Sequence, residues 1–352
     1  RIRSAIVPAR SAGAPIEPLR AASFPARDPA LGTAVDLSVA LTTEPVLRLR
    51  NPILVAAGCA GYGPDVADAL GLAGLGGIVT RTTTLRPRDG WPGPRLAEVP
   101  GALLWATGLP NPGIEAVLER YGPAWPTLPT AVVVSVGGET IGEVVEVARR
   151  LEDVPGVAAV ELNLAELRPG GPDPTSLAAV AEAVRRATTR PLVAKLPYVE
   201  EPHRLGRVVV EAGADALAGP GGVRGRIIAA VGGQAIARRS GLGSARGFLA
   251  GPALRPLVLD FVAELAAAVR VPVVALGGVR SVGDVLDALA AGATAVGIGT
   301  AALADPTLPG RLVEALRRTS AAAGAADLEA LVAALRGGRS RGFPTADRTL
   351  SP

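Results

Sequence analysis

Short apolar runs recur between residues 53 and 300, and stretches with apolar residues every three or four positions separate them. The runs are ILVAAG (53–58), GIVTRT (77–82), AVVVSVGG (131–138) and VAAVELNL (157–164), then PLVAKL (191–196), DALAGPGG (215–222), VPVVALGG (271–278) and ATAVGIGT (293–300). Near-continuous apolar character bounded by Gly or Pro marks strands buried on both faces. Between them, TIGEVVEVARRLEDV (140–154) sets Ile141, Val144, Val145, Ala148 and Leu151 on one face of a helix. SLAAVAEAVRRAT, RPLVLDFVAELAAAV and SVGDVLDALAAGA read likewise, the last with Ser281 as N-cap. Eight strand–helix units predict an α/β protein, a (β/α)8 TIM barrel. A doubly wound sheet is the alternative. Glycines at the C-terminal ends of several runs favour the barrel, which carries its site there.

Residues 1–35 are rich in Pro, Ala and Arg without periodicity, and predict a flexible or surface-draped extension. The barrel is expected over 36–340 and a tail over 341–352. The extension is Arg-rich and acid-poor like a transit peptide, but the plainer reading is preferred.

Composition removes several function classes. The net charge is only +4, aromatic residues make up 3%, and no run of five basic residues occurs. These argue against nucleic-acid binding. A single cysteine, Cys59, excludes internal disulfides and a Cys-ligated iron–sulfur cluster. A single histidine, His203, excludes His-cluster metal sites and argues against a Ser–His triad. The apolar runs are too short and broken to span a membrane, and no signal-peptide segment is evident, so a cytoplasmic protein is expected.

Candidate chemistry collects at the ends of the runs. The seventh ends in LGGVRS and the eighth in GIGTA. Gly277, Gly278 and Gly299 would let backbone N–H groups approach an anion, and Thr300 adds a hydroxyl. Barrels that bind phosphate commonly do so at these two turns, and the helix opened by RSVGD would add its positive end. Glycines also serve simply to make tight turns; two such turns on these strands favour phosphate.

Rare residues point the same way. Asparagine occurs three times, as Asn51, Asn111 and Asn163. Turn chemistry accounts for the first two. Asn163 ends the fourth run, where its amide would face a barrel mouth. Of the 36 basic residues, 35 are Arg and one is Lys195, at the end of the fifth run. A lysine can snorkel to solvent from a strand end. In a chain whose solvated cations are arginines, a narrow pocket that admits a compact ammonium and excludes a planar guanidinium is the stronger reading.

Taken in order, NPILVAAGCAGYG, GIVTRTTTLRPRDGWPGPRLAE, GLPNPGIEAVL, GVAAVELNL, PLVAKLP, AGPALRP and VPVVALGGVRSVGDVLDALAAGATAVGIGTA resemble the class 1 dihydroorotate dehydrogenases, from about residue 36 to about 318. The catalytic domain of dihydropyrimidine dehydrogenase is a close relative of that family. The resemblance implies FMN lying across the barrel mouth. It matches Ala56, Ala57, Gly58, Thr82 and Ser135 to flavin contacts, and Gly251, Gly277, Gly278, Gly299 and Thr300 to the phosphate region. It puts Lys195 at the flavin N1/C2-oxygen edge, where a cation stabilises charge that develops on reduction. It puts Asn163 against the substrate. It further implies a small-molecule substrate, dimers in many members, and in some a separate electron-transfer subunit.

The sequence departs from the family on the substrate side. Where class 1 enzymes carry Asn-x-Ser-Cys-Pro-Asn, with the cysteine as base, this chain reads NLAELR; Glu166 stands at the cysteine, Leu167 and Arg168 after it. Trp105 and Gly221 stand where the family has asparagines, and Arg81 where it has lysine. Each buried polar partner lost costs about 1–3 kcal/mol, so tight orotate binding is not expected. Glu166 is either a replacement base or, the reading slightly preferred here, a salt-bridged loop residue pairing with Arg168 or Arg81. Trp105 could stack on a planar substrate or fill the vacated space. Arg81 and Arg168 are candidate substrate contacts. Cys59 reads as a small buried residue rather than a nucleophile. The expected function is an FMN-dependent oxidoreductase transferring hydride between flavin N5 and a pyrimidine-like or specialised-metabolite substrate. A divergent but genuine dihydroorotate dehydrogenase and a flavin-binding pseudoenzyme with a regulatory role are the alternatives.

Overall fold

The computed structural model describes residues 35–166, 173–226 and 246–339. Eight parallel strands close a barrel in chain order. They are β3 (Ile53–Val55), β4 (Gly77–Val79), β7 (Ala131–Val136), β8 (Val157–Asn163), β9 (Leu192–Lys195), β10 (Ala216–Gly219), β13 (Val273–Leu276) and β14 (Ala295–Ile298). The last pairs with the first through Val296–Ile53 and Ile298–Val55. Helices α3 (Ile141–Arg150), α4 (Pro174–Arg185), α5 (Pro202–Glu211), α6 (Arg255–Ala268), α7 (Val282–Ala291) and α9 (Leu308–Ala322) surround it. The predicted (β/α)8 barrel is the observed fold.

Both strand faces are buried because alternate residues serve two cores. Ile53, Val55, Ile78, Val132, Val134, Val160 and Ala194 pack outward under the helices. Leu54, Val193, Ala216, Ala218, Val274, Leu276 and Ala295 fill the barrel interior. A hairpin that the apolar pattern did not reveal, β1 (Val39–Thr43) and β2 (Val46–Leu49), runs directly into β3. Its Leu41 and Leu49 join the interior cluster, closing the N-terminal end of the barrel.

The opposite end is elaborated. β5 (Leu96–Val99) and β6 (Ala102–Trp105) follow β4, and β11 (Val223–Arg226) and β12 (Arg246–Ala250) follow β10. Together they make an antiparallel sheet in the order β11-β12-β6-β5. Pro100-Gly101 is a legible turn between β5 and β6. β11 and β12 face each other through Gly225 and Gly247, so their strand signal in the sequence is weak.

Several barrel strands stop before their predicted runs do. β3 ends at Val55, ahead of Ala56, Ala57 and Gly58, and β13 ends at Leu276, ahead of Gly277 and Gly278. The φ values of Gly58 (85°), Gly277 (102°) and Gly278 (78°) take the chain out of extended geometry at the mouth. No helix among the described residues is long and apolar enough to cross a membrane. Residues 1–34 of the expected extension and all of the expected tail, 341–352, lie outside the described residues.

Candidate active site

The period of two along β8 turns Ala159, Glu161 and Asn163 toward the barrel interior. Its neighbours are in matching register, Ser135 opposite Glu161 and Asn163 opposite Lys195. Four polar side chains therefore meet inside an apolar barrel. Glu161 is 2% exposed and Lys195 7%. Lys195 Nζ lies 3.3 Å from Glu161 Oε1, and Ser135 Oγ donates to the same oxygen at 2.9 Å. Thr82 Oγ1 is 2.9 Å from Ser135 Oγ. Asn163 Nδ2 donates to Thr82 Oγ1 at 3.0 Å and to Glu166 Oε1 at 3.1 Å.

Glu166 is thus held at the barrel mouth by Asn163. Burial pushes its carboxyl pKa up, with the Glu161 charge adding to the rise; Lys195, the Asn163 hydrogen bond and Arg88 oppose it. The anticipated ion pair with Arg81 does not form: the Arg81 side chain is exposed, while its backbone N–H donates to Gly61 O at 2.8 Å. Arg168, the other anticipated partner, lies outside the described residues.

The three asparagines separate by how well they are satisfied. Asn51 donates to Gly74 O and accepts from Ile53 N, fixing the entry to β3. Asn111 accepts from the N–H groups of Thr84 and Gly113 and donates to Leu109 O, fixing a turn. Asn163 is fully buried, and its Oδ1 has no partner. A buried acceptor left unmatched is costly and marks a place where a ligand donor fits.

Trp105 ends β6 and stacks on Phe248, with ring centroids 4.9 Å apart. The loop after β10 runs between it and the lysine: a Cβ on Gly221 would lie 3.8 Å from Lys195 Cδ, and one on Gly222 3.6 Å from Trp105 Nε1. Cys59 lies beyond β3, close enough to Lys195 to feel its charge, yet burial pushes its thiol up to about 11. A thiol so protonated is not poised as a nucleophile.

At the other side of the mouth are the glycine turns. A Cβ on Gly278 would come within 2.8 Å of Arg255 Cα, and one on Gly251 within 2.8 Å of Ala102 Cα. A Cβ on Gly58 or Gly299 would meet nothing within 4 Å, so those backbones face open space. Thr300 opens the short helix α8 (Thr300–Ala304). The α7 N-terminus, expected to attract an anion, is already occupied. The Asp284 carboxylate accepts from the N–H groups of Arg280 and Ser281, each at 2.9 Å, and closes a capping box with Ser281. Arg255 also pairs with Asp284.

Glu161 escaped the sequence reading because it sits inside an apolar run. Its signal was there: a carboxylate two residues before Asn163 shares that residue's strand face, and a charge so placed needs a buried partner.

The matching family model is described as dihydroorotate dehydrogenase and covers residues 40–319. Relatives include the dihydroorotate dehydrogenase B (NAD(+)) catalytic subunit of Geotalea uraniireducens, 38% identical over 310 residues, 85% of this chain and 98% of the relative. The corresponding subunit of Geobacter sulfurreducens is also 38% identical with the same coverage. That of Desulforudis audaxviator is 38% identical over 295 residues, 82% of this chain and 94% of the relative. The chain therefore belongs to the dihydroorotate dehydrogenase family, and it is an oxidoreductase acting on CH–CH bonds.

Proposed function

We propose that this chain is an FMN-dependent oxidoreductase that keeps the flavin side of the family's site and oxidises or reduces a substrate other than dihydroorotate. The observation that carries the substrate half is Glu166. It stands where the resemblance puts the family's cysteine base, it is held by Asn163 at 3.1 Å, and burial raises its pKa. A carboxyl group with a raised pKa is a stronger base toward a carbon-bound proton than an ordinary carboxylate. This reverses the preference for a salt-bridged loop residue.

The residues present fit a flavin. Gly58 and Gly299 leave their backbones open, as the close approach of a ring or a phosphate requires. Ala56, Ala57, Gly58, Thr82, Ser135 and Lys195 would line the ring. Gly251, Gly277, Gly278, Gly299 and Thr300 would hold the phosphate. When bound, FMN supplies the hydride acceptor at N5. The chain's own part is to hold the substrate with Asn163, Trp105 and the arginines Arg81 and Arg168. Lys195 supplies a compact positive charge beside the ring, and Glu166 moves the proton.

The relatives are named as catalytic subunits of an NAD(+)-linked enzyme. This supports a separate electron-transfer subunit as partner here, since the single cysteine leaves no set of thiolates for a cluster in this chain. Identity of 38% to those subunits is also the observation that favours the second reading, a genuine dihydroorotate dehydrogenase. One experiment separates the two. Purified protein should show flavin absorbance bands and release FMN on denaturation, yet turn over dihydroorotate far below family rates. Turnover at normal rates sinks the altered-substrate reading. Protein without flavin sinks both.

A further inference from the structure

The hydrogen bonds inside the barrel have a direction. Glu161 is a carboxylate and only accepts. Ser135 has one hydroxyl hydrogen, and it goes to Glu161 Oε1 at 2.9 Å. The contact between Thr82 and Ser135, 2.9 Å, must then be made with the Thr82 hydrogen. Thr82 has no hydrogen left for Asn163 and can only accept from it. On the other side of the amide, Glu166 Oε1 also accepts. Thr82 thus demands the amide's NH2, Glu166 Oε1 accepts from the same nitrogen, and the carbonyl oxygen is turned away, buried and without a partner.

We infer that Glu161 is a positioning residue, which through Ser135 and Thr82 locks the Asn163 amide so that it shows its oxygen to the ligand. The inference rests on the proposed role of Asn163 at the ligand site, and it names the chemistry that role requires. The group placed against Asn163 carries an N–H or O–H donor; a bare carbonyl or carboxylate oxygen there is rejected. Lys195, at 3.3 Å, keeps Glu161 compensated so that the carboxylate can anchor the chain of donors.

The chain has only three asparagines, so holoprotein labelled with 15N-asparagine gives three side-chain NH2 pairs. Loss of one in Asn163→Ser assigns it. In Glu161→Leu and in Ser135→Ala, the Thr82 hydroxyl is free to turn and the amide is no longer locked, so the Asn163 amide hydrogens should shift and exchange with solvent at least about tenfold faster, the scale of one lost hydrogen bond. The Asn51 and Asn111 signals should stay put, which reports that both variants are folded. Thr82→Ser keeps the hydroxyl and should keep the protection. Protection that survives in either Glu161→Leu or Ser135→Ala overturns the inference. Because no substrate is used, this outcome is independent of whether dihydroorotate is turned over.

Discussion

Lys195 and Glu161 form an ion pair inside the barrel, 3.3 Å apart, on the adjacent strands β9 and β8. The lysine's ammonium fits here because one compact charge must face Glu161 beneath and still border the mouth near the loop of Gly221. A guanidinium fork is wider and planar, and would need more room between Glu161 and the loop of Gly221.

Breaking this pair from one side strands a buried charge. Lys195→Met should destabilise the fold by about 3–5 kcal/mol, and Glu161→Leu comparably. The double variant should recover much of that loss, because neither charge is left alone. Urea unfolding of the four proteins measures the coupling. Lys195→Arg should retain the fold better than Lys195→Met but lower the flavin content of the purified protein, read from the ratio of flavin to protein absorbance.

Glu166 predicts a pH dependence with a defined sign. Its folded pKa lies above the ordinary 4.5, so the folded state prefers the neutral carboxyl. Its favourable contribution is complete below the unfolded value and is lost as pH rises through the folded one. Relative to Glu166→Gln, the wild type should therefore lose stability across that window and level off above it. Denaturant midpoints for both proteins from pH 4 to 8 test this. In the reaction, Glu166→Gln should slow flavin reduction by the true substrate about 100- to 10,000-fold.

Cys59 should be chemically quiet. With its thiol at about 11, only about one molecule in a thousand carries the thiolate at pH 8. Iodoacetamide labelling followed by mass spectrometry should be far slower in the native than in the unfolded protein. Cys59→Ala should keep flavin content and fold.

The two adjacent glycines after β13 should respond unequally to alanine. Both have positive φ, which costs an alanine about 1–2 kcal/mol. At Gly278 the new Cβ also meets Arg255 Cα at 2.8 Å, whereas at Gly277 its nearest neighbours are 3.8 Å away. Gly278→Ala should lower the melting temperature more than Gly277→Ala. Gly277→Ala isolates the effect of the turn on FMN retention, measured by ultrafiltration.

The sequence by itself determined the barrel. Eight apolar runs separated by helical spacings admit few other folds, since strands buried on both faces must have helices outside and a filled interior. It also marked Lys195 and Asn163, because each is rare in this chain and falls at a strand end. What tertiary structure alone decided is which of these groups meet. Ser135, Glu161 and Lys195 are 26 and 34 residues apart along the chain, and only the register of β7, β8 and β9 brings them together. The same closure left Arg81 at the surface, set Asp284 over the α7 N-terminus and gave Asn51 and Asn111 turn partners while leaving the Asn163 oxygen bare. Periodicity reports which face a residue occupies. Hydrogen-bond direction, and with it the chemistry the site can accept, depends on contacts between strands that the linear pattern does not encode.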